Sequence, residues 1–162
     1  MYLSGLGYDI HSFAAPDSGR KLILGGVEIP GAVGLEGHSD ADVLCHAIAD
    51  AILGAIGEAD IGHHFPNTDE SIRGINSLEI VRRSVELVKE QGGRLINIDA
   101  SLIAEAPKVG PHLAAMKAAL AEALGLPPRR IGIKATTNER LGAIGRGEGI
   151  AAMAVASVEL PE

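Results

Sequence analysis

Residues 150–158, Ile-Ala-Ala-Met-Ala-Val-Ala-Ser-Val, carry almost no polar side chain on either face that an alternating strand presents. Successive side chains of a strand point to opposite sides, so this run needs cover on both. Strands of that kind lie inside a sheet with a layer above and a layer below. The chain has 162 residues, which suits one core, and only 2% of them are aromatic. The core must therefore be a tight one of Ala, Ile, Leu and Val. In so small a chain a second copy is the expected cover for one face, so a homo-oligomer is expected.

The net charge of −7 argues against non-specific nucleic-acid binding, and the scarcity of aromatics removes stacking platforms for single strands. Cys45 stands alone, which excludes a disulfide framework and a cysteine metal site and suits a reducing compartment. No apolar run is long enough to span a membrane, and Met1 to Gly5 lacks the basic and apolar regions of a signal peptide. The expectation is a soluble, cytoplasmic protein without membrane or nucleic-acid partners.

Hydrophobic spacing predicts a first strand over residues 3–9 and a β-hairpin over 21–30 that turns at Gly25-Gly26. A helix is predicted over 39–56, opened by Ser39 and Asp42 at capping-box spacing. Leu44, Ile48, Ile52 and Ile56 form its apolar stripe, while Asp42, His46 and Asp50 form a polar stripe on the other side. Residues 60–74 are rich in loop signals, and a loop of that length in a compact chain is often functional. Further helices are predicted over 76–91 and 111–124, further strands over 94–104, 131–135 and 150–160, and a Gly-rich loop over 136–149. No repeat or linker interrupts the chain.

Chemistry concentrates near the start. Asp9 and His11 are two apart, so one strand face carries both. With His46 from the helix they make two imidazoles and a carboxylate, a divalent-metal set that leaves a coordination position open. Asp50, one turn after His46, is expected to hold the other ring nitrogen, with Asp42, one turn before, competing for that role. A second group is Lys134-Ala-Thr-Thr-Asn-Glu-Arg-Leu-Gly142 followed by Gly145-Arg-Gly-Glu-Gly149. Its hydroxyls and backbone N–H groups at a strand end suit phosphate oxygens, and Glu139 suits a hard cation. Spacing alone reads this segment equally well as a Gly-rich turn with solvated charges. Lys108 of Ala-Pro-Lys could set a point charge on phosphate, although alone it reads as solvated. His63, His64 and His112 read as structural or solvent-facing, without partners.

Taken in order, Asp-x-His, His-Ser-Asp-x-Asp-x-x-x-His, Asp-Ile-Gly with Phe-Pro-x-Thr-Asp, Ala-Pro-Lys, Lys-Ala-Thr-Thr-x-Glu and Gly-Arg-Gly-Glu-Gly span the whole chain. This order and spacing resemble the 2-C-methyl-D-erythritol 2,4-cyclodiphosphate synthase family of the non-mevalonate isoprenoid pathway. The resemblance implies an α+β single domain over 1–162: a four-stranded mixed sheet packed against helices, with a small β-hairpin, assembling as a homotrimer with active sites between subunits. It implies conversion of 4-diphosphocytidyl-2-C-methyl-D-erythritol 2-phosphate to the 2,4-cyclodiphosphate with release of CMP.

Carried over by motif, Asp9, His11 and His46 would bind zinc, and Glu139 a second divalent cation, Mg²⁺ or Mn²⁺. His38 and Thr137 match the catalytic positions, and Ser39 faces the substrate. Asp60, Ile61, Gly62, Phe65, Pro66, Asn67, Thr68 and Asp69 would surround the methylerythritol portion. Ala104, Pro107, Lys108, Val109, Ala135 and Thr136 would form the cytidine-diphosphate pocket, with Asn138 beside it. Arg146 and Glu148 would line a central channel able to hold an isoprenoid diphosphate. Three residues depart from the family pattern: Asn67 for Asp, Asn138 for Thr, and Ala143 for an aromatic. Ala143 leaves the channel with a smaller wall.

Two rival readings remain open. A non-haem Fe(II) oxygenase also uses two histidines and a carboxylate, on an all-β fold. A trimeric metal- or isoprenoid-binding module without catalysis would carry a decayed site, against which stand Asp9, His11, His46, Lys108, Thr137 and Glu139.

Overall fold

Two glycines decide how closely the first strand meets the first helix. In the computed structural model, which describes the chain apart from Asn67 and the side chain of Ser71, β1 (Tyr2–Ser12) lies against α1 (Val43–Ala55). A Cβ on Gly5 would stand 2.1 Å from the Ala51 carbonyl oxygen, and one on Gly7 would stand 1.9 Å from that of Ala47. Nothing larger than hydrogen fits there. The strand therefore touches the helix backbone, and Asp9 and His11, on the same strand face, are carried up to His46.

The remaining elements are β2 (Lys21–Leu24), β3 (Val27–Val33), α2 (Ile61–His64), α3 (Ser77–Glu90), β4 (Arg94–Ile103), α4 (Leu113–Leu124), β5 (Ile131–Thr136), α5 (Gly142–Gly145) and β6 (Gly149–Glu159). The main sheet has four strands in the order β1-β6-β4-β5. β6 is antiparallel to both β1 and β4, while β4 and β5 are parallel, joined over α4. The mixed four-stranded sheet and the separate β2–β3 hairpin agree with the expected α+β architecture. Helices interspersed with strands do not make the all-β fold that the iron-oxygenase reading requires. Among the described residues no helix is long and apolar enough to cross a membrane.

The hairpin turns at Gly25 and Gly26, with φ of +57° and +76°, the left-handed pair that a two-residue hairpin loop favours. Asp42 clamps this turn to α1. Its carboxylate accepts the N–H groups of Gly25 at 2.9 Å, Gly26 at 2.7 Å and Cys45 at 3.1 Å. Asp42, not Ser39, is thus the N-cap. Ala41 adopts φ +57° and separates Ser39 from the helix. The Ser39 hydroxyl instead accepts the Ala41 N–H. The predicted second stripe also needs correction: α1 is buried nearly all round, Asp42 and His46 included, because α3 packs on it as well as the sheet.

Strand β6 alternates more than its sequence suggests. Ile150, Ala152, Ala154, Ala156 and Val158 are buried against the helices. On the other face Met153 and Val155 are exposed, and they stand in register with Tyr8 and Leu6 of β1. Leu6 is 64% exposed, Tyr8 54% and Val155 42%. Among the described residues, no layer covers Leu6, Tyr8, Met153 and Val155 on this second face.

Candidate active site

Asp9 and His11 come from the end of β1 and His46 from the first turn of α1. The Asp9 Oδ2 atom lies 2.9 Å from His46 Nδ1 and 2.9 Å from His11 Nε2, and the two ring nitrogens are 3.3 Å apart. Ligand atoms about 2.0–2.1 Å from a tetrahedral zinc are themselves roughly 3.3 Å apart, so this triangle needs little adjustment to hold one ion. Among the described residues it is the one group of His, Cys, Asp or Glu with this spacing.

The surroundings set the protonation of each donor. The Glu36 carbonyl oxygen lies 2.6 Å from His11 Nδ1. A carbonyl only accepts, so Nδ1 carries a proton; in the neutral ring Nε2 then has the lone pair a cation needs, and without a cation a protonated Nε2 donates to Asp9 Oδ2. Burial alone pushes the Asp9 carboxyl up, but its hydrogen bonds to His11 and His46, and their charges, outweigh this and hold it well below the usual carboxylate range. Burial likewise pulls His11 down, and the hydrogen bond and charge of Asp9 reverse that and raise it.

The cluster opens into a cavity of about 220 Å³ whose wall includes His38, Ser39, Ile61, Gly62 and Phe65, all named from sequence. Ile72, Ile75 and Ile80 complete the wall and were not anticipated. Their only sequence signal is apolar side chains set among loop residues and, for Ile80, beside the main apolar stripe of a helix. The expected loop over 60–74 contains α2 and a 3₁₀ turn at Glu70–Ile72. Asp60 caps α2 through the His63 N–H. Pro66, Thr68 and Asp69 lie farther along this exposed strap, and Asn67 lies outside the described residues.

His46 Nε2 is held neither by Asp50 nor by Asp42. Asp50 accepts the Ile61 N–H at 2.8 Å, anchoring α2, and Asp42 is occupied by the hairpin clamp. The atoms facing Nε2 are Ser77 Oγ at 2.9 Å and Ser39 Oγ at 3.1 Å. Spacing misled because α1 turns Asp50 toward α2, while Ser77 arrives from a distant helix start. His64 Nε2 is buried without a hydrogen-bond partner among the described residues, as expected, and lies 3.5 Å from Glu58 Oε2, an ion pair only for a protonated ring.

The second group of residues lies at the opposite sheet edge. Ala104, Pro107 and Lys108 follow β4, and Ala135 to Glu139 end and follow β5. β1, β4 and β5 run the same way, so both groups lie at one end of the sheet, but β1 and β5 are its two edges. Three strand spacings separate them, about 14 Å. Glu105 Oε1 accepts the N–H groups of Asn138 at 2.9 Å and Arg140 at 3.2 Å, joining the two loops. Thr137 Oγ1 donates to Glu139 Oε1 at 3.0 Å, and Glu139 has φ +49°. Lys108, Thr136, Thr137 and Asn138 are exposed, whereas the Val109 side chain lies in the core and leaves only backbone to a ligand. Arg146 Nε donates to Glu148 Oε1 at 2.6 Å, and Ala143 is exposed.

The chain is similar over its whole length to known proteins. The sequence pattern of the YgbB family matches residues 2–159. The 2-C-methyl-D-erythritol 2,4-cyclodiphosphate synthase of Akkermansia muciniphila is 61% identical over 99% of this chain and 94% of its own. A solved synthase of the same name, bound to CDP, superposes with a TM-score of 0.87 at 38% identity, over 96% of this chain and 99% of that one. The bifunctional IspDF of Campylobacter jejuni superposes with a TM-score of 0.93 at 41% identity, over all of this chain and 43% of that longer one. A whole-length match, a shared fold and a formed ligand triangle lead to one conclusion: the chain belongs to the YgbB family, whose relatives here are 2-C-methyl-D-erythritol 2,4-cyclodiphosphate synthases.

Proposed function

We infer that this protein cyclises 4-diphosphocytidyl-2-C-methyl-D-erythritol 2-phosphate to the 2,4-cyclodiphosphate and releases CMP. The observation that carries this reading is the Asp9–His11–His46 triangle opening into a cavity that is part polar and part apolar. An oxygen of the 2-phosphate attacks the β-phosphorus, the bond from that phosphorus to the bridging oxygen breaks, and CMP leaves with that oxygen. The nucleophile is already an anion, so no activated serine or cysteine is needed. The difficulty is bringing anions together, which calls for positioning and charge stabilisation.

Asp9, His11 and His46 fit zinc, and Glu139 supplies the carboxylate for Mg²⁺ or Mn²⁺. When bound, these cations screen the repulsion between phosphoryl groups and polarise their oxygens. His38 and Ser39 stand on the cavity wall as donors to phosphate oxygens. Phe65, Ile72 and Ile75 give the carbon skeleton an apolar wall, with Ile61 and Gly62 in the same cavity, while Asp60 caps α2 next to them. Ala104, Pro107, Lys108, Val109, Ala135 and Thr136 hold the cytidine diphosphate, largely through backbone groups. Thr137 stabilises the developing charge, and Asn138 shapes the turn through its 2.8 Å bond to the Leu141 carbonyl.

A single chain separates these two groups by the width of its sheet, so each complete site is built between neighbouring copies. A homotrimer joined through the exposed face of Leu6, Tyr8, Met153 and Val155 supplies both needs. Arg146 and Glu148 then face the trimer axis as a channel for an isoprenoid diphosphate, with room enlarged by Ala143. Incubation with the cytidine-diphosphate substrate, followed by phosphorus NMR, is expected to show CMP and the cyclic diphosphate together. Glu139→Gln is expected to keep zinc but lose diphosphate affinity. Absence of CMP from zinc- and magnesium-loaded protein refutes the reading.

A further inference from the structure

His46 is held from behind as firmly as from the front. Its Nδ1 faces Asp9 and His11, and its Nε2 lies 2.9 Å from Ser77 Oγ. Ser77 Oγ lies 2.5 Å from Asp40 Oδ1, and Asp40 Oδ2 accepts the Ser77 backbone N–H at 3.0 Å. Ser77 has no exposed surface and His46 is 7% exposed, so water cannot readily replace these partners.

A hydroxyl has one proton to give and an ionised carboxylate has none. The Ser77 proton is therefore committed to Asp40, and the lone pairs of Oγ face His46. The ring atom meeting those lone pairs must be an N–H. In the neutral ring that leaves the lone pair on Nδ1, the atom facing the cluster, where a bound cation would take the place of the hydrogen bond to Asp9. Ser39 Oγ, 3.1 Å from the same Nε2, offers a further acceptor.

The same residues tie three segments to one imidazole. Ser77 is the first residue of α3, and Asp40 sits on the strap ahead of α1. The Asp40 N–H is bonded to the Ile75 carbonyl, and the Gly74 N–H to the His38 carbonyl. The strap that carries His38 and Ser39 is thus zipped to the chain entering α3.

We propose that Asp40 and Ser77 are positioning residues: a two-member relay that fixes which nitrogen of His46 is proton-free, and so sets how tightly the cluster holds a divalent cation. This rests on Asp9, His11 and His46 being the ligands. Outer partners of ligating histidines change metal affinity by about 10–100-fold when removed.

The test measures zinc affinity of the purified chain by competition with a chromogenic chelator. Cobalt-loaded protein is examined in parallel for its visible spectrum and for a slowly exchanging, paramagnetically shifted imidazole N–H. Ser77→Ala is expected to weaken zinc by about 10–100-fold and to lose the protected N–H signal. Ser77→Thr, which keeps the hydroxyl, is expected to stay closer to wild type on both. Asp40→Asn presents an amide that can donate to Ser77 and reverse the relay, so it is expected to weaken zinc at least as much. Unchanged affinity and N–H signal in Ser77→Ala overturn the proposal, as does equal weakening in Ser77→Thr. If Ser77→Ala does not fold, unchanged affinity in Asp40→Asn overturns it. Wild-type protein that binds no zinc removes the ligand assignment itself, a separate outcome from failure of the relay.

Discussion

His46 Nδ1 meets Asp9 Oδ2 at 2.9 Å although the two residues stand 37 positions apart, one on a helix and one on a strand. The meeting depends on backbone proximity more than on side-chain reach. His46→Ala removes one of three donors and leaves the other two without a closed triangle. The expected outcome is loss of bound zinc by metal analysis and loss of CMP release, with an unchanged far-UV spectrum. Turnover retained by this variant refutes the ligand assignment.

Gly7→Ala is a distant route to the same site. The new Cβ would lie 1.9 Å from the Ala47 oxygen and 2.7 Å from the Ala51 nitrogen, so β1 must lift off α1. Overpacking of this kind costs about 1–3 kcal/mol, and at this chain length each kcal/mol lowers Tm by about 2–4 °C. Thermal unfolding is expected to show a fall of roughly 2–12 °C. Zinc affinity should fall with it, since Asp9 is two residues along the same strand.

Asp42→Ala leaves three backbone N–H groups without their acceptor. Loss of a cap costs about 0.5–2 kcal/mol and each buried unpaired donor about 1–3. Denaturant titration is expected to show at least about 3 kcal/mol of lost stability. A loss below about 1 kcal/mol would show that the clamp matters little.

Cys45 is fully buried, and burial, aided by the charge of Asp42, pushes its thiol well above the ordinary range. A raised thiol stays protonated where an exposed one ionises, and the thiolate is the reactive form. At pH 8.5 the folded protein is expected to resist a thiol reagent, while protein in guanidinium reacts with one equivalent. Rapid labelling of the folded protein contradicts the packing of α1.

The exposed apolar face carries a prediction about assembly. Val155→Asp places a charge among Leu6, Tyr8 and Met153. Light scattering is expected to find a trimer for the wild type and a smaller species for this variant. A wild-type monomer removes the proposed assembly.

Much of this was legible in the sequence because it rests on local rules. Period-two placement of Asp9 and His11, the Gly-Gly hairpin and the apolar stripes of α3 and α4 need only neighbouring residues to be read. The start of α1 was misread because Ala41 takes a left-handed conformation, which no residue preference announces. Ser77 went unnoticed because serine at a helix start reads first as a cap. Its approach to His46 depends on how α3 crosses α1. Glu105 carries no sequence signal, since its role of receiving two N–H groups exists only once two loops are adjacent. The even burial of α1 likewise comes from two layers meeting on one helix.

The placement of the two ligand groups on opposite edges of the sheet has a genetic consequence. A chain damaged at His46 keeps an intact Lys108 edge, and a chain damaged at Lys108 keeps an intact His46 edge. Under the proposed trimer, two such proteins mixed in one assembly are expected to rebuild a whole site where their sound halves face each other. A cell carrying both defective copies is then expected to regain a fraction of the activity that neither copy supplies alone.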